Sequence, residues 1–283
     1  MGRASVGKSE RTPAKHALMD RLLGKEAGVC RVRAKIKQLK WYDLTAGDAV
    51  AAGEIDWIRH CSPGLFAYHA LDANKAGGKP IDVFLFERAP ETFERLRITL
   101  GEKLPQLGYL PEPDGSWRCG LAAIHLTFGS GADAVIAGVN ASTAVFVAND
   151  PNAITDWAMR PTFAEEIRLR TPWFRIICTM GCNPAGLKRI DFNVRDQWFE
   201  LVNQVKNRLP PHHNLFLAAI EGDNAQWAYL IQESRKWKDD LEKDAQSSFG
   251  HFNYALECAW LKGDSASFES ILKRLFYTKN ERE

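Results

Sequence analysis

The chain has 283 residues, 45% of them hydrophobic and 25% charged, with a formal net charge of +2. That length can bury a full core and that composition is ordinary for a globular protein, which excludes a fibrous or wholly disordered polymer. No apolar run approaches the ~18 residues of a membrane span, and residues 1–30 carry no signal-peptide core, so a cytoplasmic location is expected. Six cysteines spread along the chain point to reduced thiols rather than a disulfide framework.

The charge is unevenly placed. Arg3, Lys8, Arg11, Lys15, Arg21, Lys25, Arg31, Arg33, Lys35, Lys37 and Lys40 face only Glu10, Asp20 and Glu26. A basic arm of this kind can neutralise phosphates and lend sequence-independent affinity for nucleic acid, with a solvated leader as the equal alternative. Gly2 to Ser9 fits the phosphate-cradling pattern G-x-x-x-x-G-K-S, but that loop works between a strand and a helix. With only Met1 ahead and Pro13 close behind, no nucleotide loop is expected here. Apolar spacing predicts a helix over 15–23 and a second amphipathic piece over 29–39.

Leu39 to Asp43 then reads as a strand, followed by Leu44-Thr45-Ala46-Gly47-Asp48-Ala49. A glycine just past a strand lets the chain turn tightly and bring backbone amides near a ligand. Ser62 is expected to cap a helix that has Pro63 in its first turn. Residues 73–80 form a polar linker, and Ile81 to Phe86 is a buried strand closed by Glu87. A carboxylate there suits the two hydroxyls of a ribose, or a salt bridge at the strand end. A helix is predicted over 91–104, a loop or hairpin over 108–120, and a strand over 121–128. That strand ends in Gly129-Ser130-Gly131, a turn suited to close approach by a flat ring. After a helix over 132–138, the buried strand 143–148 terminates in Asn149-Asp150-Pro151-Asn152. In an open doubly wound sheet, ligands sit at the carboxyl ends of the strands, so acidic ends at Asp43, Glu87 and Asp150 predict one shared pocket.

Farther along, 154–170 reads as helix interrupted at Pro161, and 173–179 as another buried strand. The loop after it carries Lys188 and Arg189, which suit a phosphate contact as well as they suit plain surface charge. Cys178 and Cys182 lack a second pair or a histidine at ligand spacing, so no metal site is expected. A helix over 195–209 is followed by a turn at His212-His213. Two short β-prone runs, 215–220 and 227–231, flank Glu221-Gly222-Asp223-Asn224 as a hairpin. From Ser234 onward the chain is charged, with a helix pair predicted over 252–262 and 265–277.

The order of Asp43-Leu44-Thr45-Ala46-Gly47, Ser62-Pro63, Phe86-Glu87-Arg88 and Asn149-Asp150-Pro151 resembles the Rossmann-like S-adenosylmethionine-dependent methyltransferases. Within that class it is most similar to the three-Cys-motif partner proteins of bacteria and mobile elements. The resemblance runs from about Lys15 to Glu233 and lies in order and spacing rather than in one strong motif. It implies an α/β fold: a mostly parallel twisted sheet with helices on both faces and a C-terminal antiparallel hairpin strand. It implies S-adenosylmethionine as cofactor, with Asp43 and Gly47 shaping the pocket for its methionine part and Glu87 binding its ribose. Gly129 to Gly131 would lie near its adenine, and Thr45, Ala46, Arg88 and Ser130 complete the implied cofactor-binding set. Asn149 to Asn152 resembles the [DNS]-P-P-[YFW] loop of amino-group methyltransferases, which holds a target nitrogen by its hydrogens. A separately encoded cysteine-motif protein is the partner the resemblance implies.

This chain departs from the pattern in four places. Ala49 stands where the family prefers Gly, and Asp48 adds a negative charge near the expected cofactor carboxylate. Ser130-Gly131 replaces a common acidic residue. Asn152 replaces the second Pro, with no aromatic after it to stack on a flipped base. An Asp-Pro turn, with Asp150 capping the next helix, is the alternative reading of the loop.

These observations predict a basic arm with a helix over 1–38, a methyltransferase-type domain over 39–233 and a helical extension over 234–283. Two functions stay open: methyl transfer to an amino nitrogen of nucleic acid or of a protein partner, or non-catalytic binding of nucleic acid or protein by a degenerate methyltransferase fold. A nicotinamide-dependent oxidoreductase is discounted because the G-x-G-x-x-G turn is missing.

Overall fold

A computed structural model describes residues 12–49, 57–150, 162–181, 200, 202–209, 213–222, 225–234, 241–250, 252 and 254–276. The chain divides into two compact units, Met1–Ala148 and Asn149–Glu283. No helix among the described residues is long and apolar enough to cross a membrane.

The first unit opens with a single helix, α1 (Thr12–Val32), where two helical pieces were expected. Gly24 and Gly28 each cost about 1 kcal/mol against Ala in a helix, but tertiary burial outweighs that. Leu18, Leu22 and Leu23 are fully buried. On the same helix Asp20 accepts from His69 Nε2 at 2.6 Å, which ties α1 to α3. The expected helical tail over 33–37 is instead a connection into β1 (Gln38–Asp43).

After α2 (Trp57–His60), α3 covers Ser62–Lys75. Its N-cap is Cys61 rather than Ser62, and Pro63 lies in the first turn as the sequence predicts. There follow β2 (Ile81–Glu87), α4 (Pro90–Lys103), the short hairpin β3 (Leu110–Pro111) and β4 (Trp117–Cys119), β5 (Ala122–Phe128), α5 (Ala132–Gly138) and β6 (Thr143–Asn149). The strand order is β6-β1-β2-β5-β4-β3. The ladders β1–β6, β1–β2 and β2–β5 are parallel. Read from β5 to β6, the parallel strands thus stand third, second, first, fourth, which is the doubly wound order with its switch point between β1 and β6.

Neighbouring residues on a strand face opposite sides, and Trp41 and Tyr42 show what covers each. Phe66 of α3 meets Trp41 and Phe146 edge-on, with ring centroids 6.2 and 5.9 Å apart. On Tyr42's side, Lys40 Nζ donates to the Gly138 carbonyl at the end of α5, at 2.7 Å. A Cβ on Gly138 would fall 2.6 Å from the Tyr42 hydroxyl, so this helix approaches as closely as it does because residue 138 is glycine.

The second unit contains α6 (Phe163–Arg168), β7 (Phe174–Gly181), a helical stretch at 202–207, β8 (His213–Gly222), β9 (Ala225–Ser234), α7 (Leu241–Phe249), β10 (Ala255–Trp260) and α8 (Ser265–Phe276). Its strands lie in the order β10-β8-β9-β7, all antiparallel. The expected hairpin is β8–β9, and it is longer than its apolar centre suggested, so that His213 opens a strand instead of closing a turn.

The helix expected over 252–262 is overturned. Ala255–Trp260 is a strand that pairs with β8 from Glu221 to Phe216. Leu256, Cys258 and Trp260 alternate with Ala255, Glu257 and Ala259, a period of two that also supplies partners for the free backbone edge of β8. A buried pair crosses the start of β7: the Arg175 guanidinium donates to Glu233 Oε2 through Nε at 3.2 Å and Nη2 at 2.9 Å. The parallel core in the first unit and the reversed strand β9 between β7 and β8 in the second make this the Rossmann-like methyltransferase fold, with more antiparallel pairing than a single hairpin strand.

Candidate cofactor site and acceptor loop

The carboxyl ends of the parallel strands in the first unit are tied together by backbone hydrogen bonds. Leu44 N–H donates to the Ala148 carbonyl at 2.9 Å, Ala46 N–H to the Phe86 carbonyl at 3.0 Å, and Gly129 N–H to the Glu87 carbonyl at 2.9 Å. The turn after β1 is therefore fastened to β6 on one side and to β2 on the other. Asp43 supports it locally, since its Oδ1 accepts the Thr45 N–H at 3.1 Å, the two-residue reach typical of an aspartate in a turn.

Gly47 and Glu87 meet across this edge. Gly47 adopts a left-handed φ of 67°. In that conformation its N–H donates to Glu87 Oε2 at 3.2 Å. The other oxygen, Oε1, accepts the Ala89 N–H at 2.8 Å. Each carboxylate oxygen has room for two hydrogen bonds, so Glu87 keeps acceptor capacity after both backbone contacts. No ion pair to Glu87 exists among the described residues, and its relative exposure of 9% leaves it reachable at the edge of the core.

The departures from the family pattern have physical counterparts here. Ala49 is the described non-glycine residue with positive φ, at 52°. The turn thus demands the left-handed conformation that a glycine adopts freely and alanine adopts at a cost of about 1–2 kcal/mol. Asp48 is buried and pairs with Arg95 Nε of α4 at 3.4 Å, so its charge is partly offset within the protein. The Gly129-Ser130-Gly131 turn is close-packed at Gly131, where a Cβ would lie 2.6 Å from Leu44 and 2.7 Å from Phe86.

The structure thus brings Asp43, Thr45, Ala46, Gly47 and Glu87 together. Arg88 follows as an exposed residue, and Ser130 is exposed at the end of β5. Asn149 closes β6 with 1% exposure, and neither its side-chain nitrogen nor its oxygen has a partner among the described residues. Asp150 belongs to the second unit, where its charge acts on Tyr229. Burial above all pushes the Tyr229 phenol far up, a contact with Trp227 works the other way, and Asp150 adds to the rise. Pro151, Asn152, Lys188 and Arg189 lie outside the described residues, as does the Gly2–Ser9 pattern.

Arg95, the Ala89 amide, Trp227 and Tyr229 went unread in the sequence. Arg95 is one of several exposed charges on an amphipathic helix, and Trp227 and Tyr229 read only as strand residues. No group of three His, Cys, Asp or Glu able to hold a metal occurs among the described residues.

No protein-family model and no curated protein matches the chain. Among solved structures, protein LPL1258 from Legionella pneumophila aligns with 89% of this chain and 97% of its own, at a TM-score of 0.51 and 11% identity. The O-methyltransferase TomG from Streptomyces achromogenes, solved with SAM, aligns with 81% of this chain and 92% of its own, at a TM-score of 0.40 and 13% identity. The first is a likeness of fold, and nothing about chemistry follows from either.

Proposed function

We propose that the chain is an S-adenosylmethionine-dependent methyltransferase that acts on an amino nitrogen. The observation that carries this reading is Glu87, a buried-edge carboxylate at the end of the second parallel strand. It is oriented by the Gly47 and Ala89 amides, with no ion pair to a cation among the described residues. A carboxylate so held is aimed and still able to accept two hydroxyls, the requirement for gripping a ribose at this edge of a doubly wound sheet.

The residues fit the group in two further respects. At the left-handed turn at Gly47, no atom of the described residues beyond its chain neighbours lies within 4 Å of where a Cβ would be. The orphaned amide of Asn149 is the kind of buried polar group that costs about 1–3 kcal/mol unless something meets it. When bound, S-adenosylmethionine supplies an electrophilic methyl group. This chain's residues bind and position: in the first unit Glu87 would hold the ribose and the Asp43-to-Gly47 turn would take the methionine end, while Asn149 and Asp150 are the residues that would hold an acceptor amine by its hydrogens. Positioning of this kind contributes more than a strong base does, because the amine's lone pair only has to be aligned.

Isothermal titration with S-adenosylhomocysteine tests the reading. Binding by the full chain that falls at least about tenfold in Glu87→Gln is expected, since a lost charged hydrogen-bond pair is worth roughly 1.5–3 kcal/mol. No heat at millimolar ligand sinks it. A non-catalytic module on the same fold is favoured by one feature, the left-handed Ala49, and it predicts the same absence of heat.

A further inference from the structure

The outermost strands of the two units are finished differently. In the first unit β3 is two residues long and one of them is Pro111, and shortness and proline both keep an edge from pairing. In the second unit the outermost strand is β10, six residues without proline, lysine or bulge, in unbroken register with β8. The ladder fixes which of its backbone groups face outward. Leu261 N–H donates to the Leu215 carbonyl at 2.9 Å, one step beyond the Trp260 and Phe216 pair. Hydrogen-bonded and non-bonded pairs alternate along an antiparallel ladder, so bonding to β8 falls on Ala255, Glu257, Ala259 and Leu261. Leu256, Cys258 and Trp260 present their N–H and C=O groups to the other side, where no strand pairs with β10 among the described residues. Of these groups the Trp260 carbonyl already accepts the Asp264 N–H, at 3.1 Å. Beside the edge, Glu257 accepts from Arg274 of α8, which offsets its charge. A cavity of about 340 Å³ separates β10 from α8 there, lined by Glu257, Cys258, Ser267, Ser270 and Ile271, so the helix flanks the edge chiefly with small side chains.

We infer that β10 is an interface with a second copy of this chain, the two strands pairing antiparallel about a two-fold axis at Cys258. The occupant is argued from the strand itself, which is complementary to its own reverse. With Cys258 opposite Cys258 of the partner subunit, Leu256 falls opposite Trp260, and all three outward-facing residues of each copy become hydrogen-bonded pairs. The Trp260 carbonyl takes its second N–H on a second lone pair. On one face Leu256, Cys258 and Trp260, all half-buried, continue as an apolar row across the axis. On the other, Glu257 falls opposite Ala259, so no like charges meet. Neighbouring registers lack this fit. An axis at Glu257 sets that glutamate against its own copy, which destabilises a strand pair, and an axis at Ala259 pairs Leu256 with Lys262, beyond the strand. The inference does not depend on the methyl-transfer reading, since every residue it uses lies in the second unit.

Sedimentation equilibrium of the full chain tests this, together with amide hydrogen exchange resolved by residue. A monomer–dimer equilibrium without larger species is expected, because a two-fold contact closes on itself. Leu256→Pro removes an outward N–H from each copy at a position where an edge strand tolerates proline, and should weaken the dimer roughly tenfold while leaving the fold intact by circular dichroism. Exchange in the parent protein needs no variant and serves if Leu256→Pro does not fold. The amides of Leu256, Cys258 and Trp260 should be protected in concentrated solution and exchange quickly on dilution, while those of Glu257 and Ala259, bonded to β8, stay protected in both. A chain that remains monomeric into the high micromolar range overturns the inference and gives the edge to a different partner. A dimer that Leu256→Pro leaves as tight as the parent also overturns it. So does protection of the three outward amides that is the same at every concentration, since the edge is then covered within one chain.

Discussion

Two glutamates, one in each unit, sit on strands at the margin of a core and have been given opposite surroundings. Glu233 faces Arg175 across β7 and β9 and takes two guanidinium N–H groups on one oxygen, inside a fully buried pair. Among the described residues Glu87 takes backbone N–H groups, one on each oxygen. The first charge is neutralised within the protein and serves to hold two strands in register. The second is aimed by dipoles that leave its charge in place and is therefore available to a ligand. Burial alone does not distinguish a functional carboxylate from a structural one, whereas the identity of its partners does.

The largest effect should come from breaking the neutralised pair. Arg175→Ala takes the guanidinium away from buried Glu233 and is expected to cost about 3–5 kcal/mol in urea unfolding. A loss below about 1 kcal/mol would mean that the two glutamates are not different in kind. Next comes Gly131→Ala, which forces a methyl group into Leu44 and Phe86 and should cost about 1–3 kcal/mol while loosening the turn that faces Glu87. Glu87→Gln should lie well below either in stability, within about 1 kcal/mol of the parent, while removing most S-adenosylhomocysteine affinity. If it unfolds the protein instead, Glu87 belongs with Glu233 as a structural group.

Two smaller effects sharpen the contrast. Ala49→Gly relieves a left-handed alanine, worth about 1–2 kcal/mol, against the roughly 0.5–1 kcal/mol of chain entropy that glycine adds, so a net gain of about 0.5 kcal/mol is expected in thermal unfolding. Asp264 offers a pH test on a carboxylate held by backbone and side chain together at the start of α8. Its pKa is lowered because it accepts hydrogen bonds from the side chain and the backbone N–H of Ser267. A depressed carboxylate stabilises the fold above its unfolded value and loses that contribution as pH falls through the lower folded value. The melting temperature of Asp264→Ala should therefore trail the parent above about pH 5 and converge with it below the ordinary aspartate range of about 3.9.

Legibility followed the range of the interaction. The strands Ile81–Glu87 and Thr143–Asn149 and the helix Pro90–Lys103 were readable because apolar runs and periodicity are local. The Asp43 turn was readable as well, since its hydrogen bond spans two residues. The strand Ala255–Trp260 was misread as helix because its pairing partner, β8, lies about 40 residues away and only that partner makes a period of two preferable there. Arg95 could not be picked out, because one arginine on a charged helix face looks like the next until Asp48 is seen beside it.

From its residues alone the chain settled that two of the parallel strands end at Asp43 and Glu87 and that a third ends just before Asp150, because these ends follow from contacts a few residues long. Only the tertiary structure decided that Gly47 would hand its amide to a carboxylate 40 positions on, and that Glu233 would meet an arginine while Glu87 met backbone amides. A side chain's type sets what it can accept or donate, but what it keeps free depends on groups that folding brings near it.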